Sequence, residues 1–595
     1  MGSIYTADFE TTVREDDCRV WAWAMCDIER PEQCETGIDI ESFIERVRQD
    51  TSTVYFHNLK FDGGFIIDWL FRHGYAHMIR KKTEKGKLEK VLPGCMSSVI
   101  SDMGQWYSLT VCFPETGTTV TFKDSLKLIP LSVEKIPGAY GLPNAKLAID
   151  YREDRPKGHR LTREEEEYVK EDVIIVAKAI KIMIEQGQTK MTAASNALED
   201  FKTRFGKDRF PKYFPELPII EYSDDKRVDV DKEVRMSYKG GWSYLNPEYA
   251  DKPVQTGRVY DINSMYPWAM HDCILPFGMP IGYKGKPEPR SDYPLYTIQI
   301  ICPFKLAAGK WPSIQLKNVW GFSDTEYVKE AEVPVLLTLT DVDYKLFRDM
   351  YDVPEDEIEY IGGYYFHGAV GMISEYIDYW YHVKEESDRT GNKGMKQIAK
   401  LMLNSLYGKF GARRDGRSKI PYFDKQEDKV KYSLGDEEER EGVYIPVATW
   451  ITSYCRDKII RAAVGCRDRF IYADTDSLHV LGDYPVPGLD VDQYRLGAFK
   501  HESSFVRARF IRSKTYMEIE RSRKFVDYDG YEDTEEEINL KCAGMPSRMK
   551  ATVQEPDFYM GAKFPVGPGS RFAPKLVPKT VPGGVILREM PFEIR

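Results

Sequence analysis

Apolar and polar residues alternate in some stretches of this chain and recur every three to four positions in others, which separates predicted strands from predicted helices. Ile4-Tyr5-Thr6-Ala7-Asp8-Phe9-Glu10-Thr11 predicts a strand with acids at alternate positions, so Asp8 and Glu10 share a face. Val54-Tyr55-Phe56-His57-Asn58 predicts a second strand, and the segment through Ile66, Ile67, Trp69 and Leu70 an amphipathic helix. Thr162 and Glu165 have capping-box spacing and open a helix to about Gly187. On it Tyr168 and Asp172 are neighbours at i and i+4, beside the stripe Val169, Val173, Val176 and Ile180. Arg258-Val259-Tyr260-Asp261-Ile262 predicts a strand that ends at an acid, followed by a short helix. From Met395 to Gly408 a helix places Lys396, Lys400, Asn404 and Tyr407 on one stripe, at spacings of 4, 4 and 3. Residues 419–423 and 430–434 read as the arms of a polar-tipped hairpin that completes no core. Two short apolar strands flank the acidic turn Asp474-Thr475-Asp476. Past Ala543 the chain is punctuated by Pro and Gly and reads as a small β-rich module.

At 595 residues there is room for roughly three to five domains. With 42% hydrophobic and 13% aromatic residues, large cores can form and global disorder is excluded. The net charge of −10 does not itself point to nucleic acid, although a basic channel can coexist with acidic outer faces. Ten scattered cysteines with no Cys-x-x-Cys pair, and nine histidines, argue against zinc and for reduced thiols. No apolar run approaches a membrane span. Met1-Gly2-Ser3-Ile4-Tyr5-Thr6 fits a loose myristoylation pattern, but Ile4 onward reads as buried strand, and no secretory signal precedes it.

The acids fall into two groups. If the chain is extended at Asp474 and Asp476, both carboxylates point to one side. Their repulsion is relieved by a divalent cation, and Mg²⁺ favours one or two carboxylates plus substrate phosphates. The plainer alternative is a turn in which Asp-Thr-Asp supplies only turn chemistry. Asp261, with free N–H groups just after it, suits a metal-bound triphosphate, and Tyr266 would lie under the incoming sugar. The Lys396/Lys400/Asn404/Tyr407 stripe is either a solvated face or a phosphate-and-base surface. In Tyr238-Lys239-Gly240-Gly241 the paired glycines mark either a turn or a close backbone approach. Residues 507–516 interleave basic and aromatic side chains as a backbone-tracking groove would, whereas 527–537 reads as an acidic, solvated hairpin tip. The second group is Asp8, Glu10, Asp62 and Asp172. Unpaired acids in apolar strands are expensive, and four such carboxylates could hold two metals about 3.5–4 Å apart for in-line phosphodiester hydrolysis. Solvated surface charge is the alternative.

Asp-x-Glu at Asp8/Glu10, Asn-x-x-x-Asp at Asn58/Asp62 and Tyr-x-x-x-Asp at Tyr168/Asp172 resemble the three motifs of DEDDy-type proofreading exonucleases. The resemblance implies that Glu10 and Tyr168 orient the attacking water, that Lys146 is a catalytic lysine, and that Asn58, Phe61, Ser125 and Leu126 hold the single-stranded 3′ end. Asp-Ile-Asn-Ser-Met-Tyr-Pro, Lys-Leu-Met-Leu-Asn-Ser-Leu-Tyr-Gly, Tyr-Ala-Asp-Thr-Asp-Ser and Lys-Thr-Tyr resemble motifs A, B and C and the primer-binding motif of family B DNA polymerases. Chain length, the Tyr-x-Gly-Gly element and the Val581-Pro582-Gly583-Gly584-Val585 stretch narrow the resemblance to the protein-primed, phi-29-type bacteriophage polymerases. Met265 stands where that subgroup usually has leucine, a volume-conserving change.

That resemblance implies a multi-domain α/β and α+β fold, with an RNase H-like 3′–5′ exonuclease domain and a right-hand polymerase carrying two insertions. The expected boundaries are exonuclease 1–192, palm 193–272 and 441–542, first insertion 273–375, fingers 376–412, second insertion 413–440 and thumb 543–595. It implies two divalent ions per active site, Mg²⁺ with Mn²⁺ as a substitute, held by Asp261, Ile262, Asp474 and Asp476 and by Asp8, Glu10, Asp62 and Asp172. Ile262, Tyr266, Lys396, Lys400, Asn404 and Tyr407 would bind the incoming dNTP. Tyr238, Gly240, Gly241, Lys514, Thr515 and Tyr516 would bind DNA. The implied partners are primer-template DNA, a terminal protein that primes from the first insertion, and a single-stranded DNA-binding protein; no membrane is involved, and the place of action is the host cytoplasm. The second insertion would close a ring round the DNA for processive strand displacement. A reverse transcriptase would place adjacent aspartates at the turn, whereas Thr475 separates them. A nucleic-acid-primed family B polymerase normally needs a longer chain, and a non-enzymatic replication scaffold has no use for seven carboxylates in two groups.

Overall fold

The computed structural model describes residues 2–595 apart from positions 82, 84–86, 151, 152, 222–226, 441, 522, 526–530, 534, 535 and 568. The N-terminal region is an eight-stranded sheet in which the strand Ser3–Thr11 is an interior strand, third from one edge. Ser3–Thr11 runs antiparallel to Val20–Asp27 and parallel to Ser52–Phe56, which in turn runs parallel to Thr119–Asp124. The helix Arg163–Glu185 lies across Ser3–Thr11 and starts with the expected reciprocal Thr162/Glu165 cap. Thr6 Oγ1 donates to the Val173 carbonyl at 3.1 Å, fixing the helix against the strand.

Three expectations change here. The helix Leu59–Arg72 is buried round most of its circumference instead of showing one apolar face. It is covered by the sheet at Gly63, where an added Cβ would meet Trp106 at 2.5 Å, and by a C-terminal hairpin at Gly64, where it would meet Val585 at 2.6 Å. Cys26 and Cys34, expected as free thiols, are register partners on adjacent strands and form a disulfide, while the other eight cysteines are free. The hairpin of Asp415–Asp424 and Lys429–Glu439 does contribute to a core. Its Val430 is 2% exposed within the N-terminal core, and Phe423 and Tyr432 pack on the same cluster. Apolar arm residues find their cover on the neighbouring domain, which strand alternation alone does not show.

The second large sheet has seven strands, ordered Ser243–Leu245, Phe470–Asp474, Ser477–Leu481, Pro253–Ile262, Phe499–Arg512, Thr515–Glu520, Glu537–Cys542. Beside it the helices Ser374–Arg389 and Lys393–Phe410 pack together. A five-stranded sheet is built from Leu275–Lys284, Leu295–Leu306, Glu330–Thr340, Tyr351–Asp352 and Glu359–Ala369. Arg523–Phe525 pairs with Tyr531–Asp533, and the tip of the predicted 527–537 hairpin lies largely outside the described residues. The C-terminal module holds the hairpin Lys575–Val581/Gly584–Met590. No described helix is long and apolar enough to cross a membrane.

Two candidate carboxylate centres

In the N-terminal sheet, strand alternation turns Asp8 and Glu10 to one side, the helix Leu59–Arg72 brings Asp62, and the helix Arg163–Glu185 brings Asp172. The Phe9 N–H donates to Asp62 Oδ1 at 3.3 Å. Desolvation, then the Asp172 charge, pushes the Asp8 carboxyl up to about 7, with Lys146 opposing. Desolvation and Asp8 raise Glu10 and Asp62 well above the usual carboxylate range. Desolvation also raises Asp172, against an ion pair with Lys146. Asp172 Oδ1 is buried with no hydrogen-bond partner. Hard oxygen donors, mutual repulsion and an orphaned lone pair fit a divalent cation. The fit is one of charge: among the described residues no three Asp, Glu, His or Cys side chains already converge at ligand spacing.

The rim of this centre has an organiser that the sequence reading missed. Asp124 is buried, and its Oδ1 accepts from the N–H groups of Asn58 and Leu126, each at 3.0 Å. Asn58 sits at the helix start with a left-handed φ of 81°. Ser125 Oγ donates to the Phe56 carbonyl at 3.0 Å, and Phe61 packs edge-on against Phe65. An acid immediately before Ser125 was the available signal. Arg155 was also missed: it is buried, pairs with Glu165 at 2.7 Å, lies over Trp21 and opposes the upward shift of Glu10.

In the seven-stranded sheet Asp261 stands in register with Ser477 on one side and Lys500 on the other. Asp474 and Asp476 are not related by an extended chain, contrary to the simplest expectation, because Thr475 takes a left-handed φ of 65°. The turn is held instead by backbone: Ile262 N–H to the Asp476 carbonyl at 2.9 Å, and Thr475 N–H to the Trp242 carbonyl at 2.8 Å. Gly241 is needed beside it, since a Cβ there would stand 2.8 Å from Thr475 Cγ2. Desolvation, Asp476 and then Glu502 push the Asp261 carboxyl up to about 7, which adds Glu502 to the residues the sequence reading missed. Desolvation raises Asp476, and so does Asp474; Lys514 opposes.

Tyr266 and Tyr407 stack at 4.1 Å, and the Tyr238 hydroxyl lies 3.5 Å from that of Tyr407. Lys400 and Asn404 are exposed, and Lys396 pairs with Asp388. Lys384, missed in sequence, faces Lys396 and Lys400, and desolvation with these charges lowers its pKa. Ile262 is fully buried, so only its main chain could reach a ligand. Of the Lys-Thr-Tyr stretch expected to contact DNA, only Lys514 offers an exposed side chain. Thr515 is 0% exposed, and Tyr516 is packed against Tyr472 and Phe510.

The profile of the family described as "DNA polymerase type B, organellar and viral" matches residues 44–483. The DNA polymerase of Bacillus phage Nf is 40% identical over 100% of this chain and 99% of its own length. That of Bacillus phage phi29 is 38% identical, with the same shares covered. Phi29 DNA polymerase complexed with primer-template DNA superposes with a TM-score of 0.88 at 37% identity, covering 100% of both chains.

Proposed function

The chain belongs to the organellar and viral type B DNA polymerases, and from that premise we propose how its two carboxylate centres divide the work. It is a DNA-directed DNA polymerase with 3′–5′ exonuclease activity, of the phi29 type. The reading is carried by one observation: two separate groups of partly or fully buried acids gather at two separate sheets, with like charges raising carboxyl pKa values in each. Asp261, Asp474 and Asp476, with the Ile262 main chain, serve synthesis; Asp8, Glu10, Asp62 and Asp172 serve proofreading. Both would hold divalent ions, Mg²⁺ or Mn²⁺, which when bound neutralise phosphate charge and lower the pKa of an attacking group.

The chain's own residues do the rest. Tyr266 on Tyr407 gives a flat wall for the incoming sugar and base, and Lys384, Lys396 and Lys400 offer cations to its phosphates. Lys514 faces the primer end beside Asp474, while Tyr238, Gly240 and Gly241 line the approach and Thr515 and Tyr516 support the strand behind it. At the other centre Asn58, Phe61, Ser125 and Leu126 grip a single-stranded 3′ end, and Glu10 and Tyr168 orient water, with Lys146 on Asp172.

The proposed substrates are primer-template DNA and deoxynucleotides, a reading supported by the complexes of phi29 DNA polymerase with primer-template DNA and incoming nucleotide substrates. A terminal protein is the proposed primer, docking on the five-stranded sheet between the two palm segments. Val333 on the strand Glu330–Thr340, at 74% exposure, and Trp320 in the connection before it, at 98%, support such a contact. A single-stranded DNA-binding protein would take up the displaced strand, and the host cytoplasm is the proposed place of action. The test is Asp476→Ala, which should abolish Mg²⁺-dependent incorporation on a primed template while single strands are still degraded. Loss of both activities in a folded variant would overturn the division into two centres.

A further inference from the structure

The helix Leu59–Arg72 carries an acid that neither centre uses. Asp68 is 3% exposed. Its carboxylate accepts from Arg72, one turn along, with Nε at 2.7 Å and Nη2 at 3.4 Å. The backbone of Gly583 faces the same carboxylate and opposes the upward push of burial on it, and the adjoining Gly584 packs on the helix, where an added Cβ would meet Phe65 at 2.4 Å. Gly583 lies in the turn between Lys575–Val581 and Gly584–Met590, with a left-handed φ of 88°, and a Cβ there would stand 2.5 Å from the Cys18 carbonyl oxygen. Arg72 reaches further, in the other direction. Its Nη1 donates to Asp428 Oδ1 and its Nη2 to the Asp428 carbonyl, each at 2.9 Å. Its guanidinium lies 5.0 Å from the centre of the Phe423 ring. Asp428 is in the turn between Asp415–Asp424 and Lys429–Glu439, again with a left-handed φ, of 49°.

One i,i+4 pair therefore bonds the turn of one hairpin to this helix and stands beside the turn of a second, distant in sequence. An exposed pair of this kind adds little to helix stability, while removing a carboxylate from water is costly. Stabilising the helix does not by itself explain a buried Asp68; a junction does, because the C-terminal hairpin packs on this same helix at Gly64 and Phe65. The two hairpins also meet directly, since Lys429–Glu439 packs on Lys575–Val581.

We propose that Asp68 and Arg72 form a bracket that holds the 424–429 and 581–584 turns closed on the exonuclease helix, making them positioning residues for processive, strand-displacing synthesis. This rests on reading the 413–440 insertion as the processivity hairpin.

The test compares Arg72→Ala, Asp68→Asn, Asp428→Ala and the Arg72→Ala/Asp428→Ala pair with the unaltered full chain. Product length is read on a primed single-stranded circle under a competitor trap. Open-template filling, degradation of a single-stranded oligonucleotide and limited proteolysis of the DNA-free protein at the 424–429 turn are read alongside. Arg72→Ala and Asp68→Asn should shorten trap-resistant products about three- to tenfold. They should also speed cleavage at the turn and leave filling and degradation within about twofold. The double variant should be no worse than Arg72→Ala, because the second change removes a partner already lost. Arg72→Lys, which keeps the charge but not the fork, should recover part of the length. Unchanged product length with unchanged proteolysis would overturn the bracket, as would a parallel loss of filling and degradation. Deleting 415–437 with a short Gly-containing closure separates the two claims. If the deletion shortens products and Arg72→Ala does not, the bracket alone fails; if the deletion is without effect, the reading of the hairpin fails.

Discussion

Lys514 Nζ lies 2.8 Å from Asp474 Oδ1, on a residue whose own N–H is held 2.8 Å from the Tyr472 hydroxyl. The lysine has a left-handed φ of 61°, so the strand connection projects its side chain over the acidic turn and keeps it in solvent. A cation placed there neutralises an acid in the free enzyme and can pass to a phosphate when DNA arrives.

Lys514→Ala should therefore weaken primer-template binding by about tenfold and lower the salt dependence of binding by about one ion. At saturating DNA the turnover should fall much less. Titrations of labelled primer-template at several salt concentrations measure both; an unchanged slope would show that Lys514 makes no phosphate contact.

Asp8→Ala with Asp62→Ala removes two of the four acids of the N-terminal centre. Exonuclease activity should drop by at least about 10³-fold, while extension of matched primers continues. Mismatched ends should persist in the product. Retained metal-dependent degradation by the double variant would place the nuclease centre elsewhere.

Gly241→Ala puts a methyl group 2.8 Å from Thr475 Cγ2 and 2.9 Å from its Oγ1, at a turn that cannot shift without moving Asp474 and Asp476. Polymerase turnover should fall by about 10²-fold or more, because small misplacements at reacting atoms are costly. Degradation of single strands should be unaffected. Equal loss of both activities would indicate general unfolding.

Asp8 and Asp261 each titrate near pH 7 in the folded chain instead of at the ordinary 3.8. Folding is then favoured by their protonated forms. Their contribution is fully present below pH 3.8 and is lost as pH rises to about 7. In EDTA at pH 8, Asp8→Asn or Asp261→Asn should raise the melting temperature by about 2–4 °C, and the gain should vanish at pH 4. Mg²⁺ should stabilise the unaltered chain at pH 8 by binding the native state, and should do so less in the variants. Melting curves across pH with and without Mg²⁺ decide; a variant less stable in EDTA at pH 8 would contradict the assigned repulsion.

Local chemistry determined a good deal of this protein. The alternation at Asp8 and Glu10, the Thr162/Glu165 cap, the Tyr168/Asp172 spacing and the arms of the 415–439 hairpin each depend on residues within a turn or two of one another, and each stands where the sequence predicts. The order of the motifs likewise carried the family resemblance, since motif order survives in the chain itself. What lay outside that reach depends on partners brought from far away. Cys34 meets Cys26 only because their strands pair in one register. Thr475 is left-handed because its turn is held by Trp242 and its neighbour by Ile262, and neither constraint is visible in Asp-Thr-Asp. Asp124 and Arg155 act on groups that the sequence places elsewhere. Asp68 reads in sequence as an unremarked acid in an apolar helix. The i+4 spacing supplies its partner Arg72, but the Asp428 that Arg72 also holds and the Gly583 turn beside it arrive from two other hairpins, and only the assembled fold brings them there.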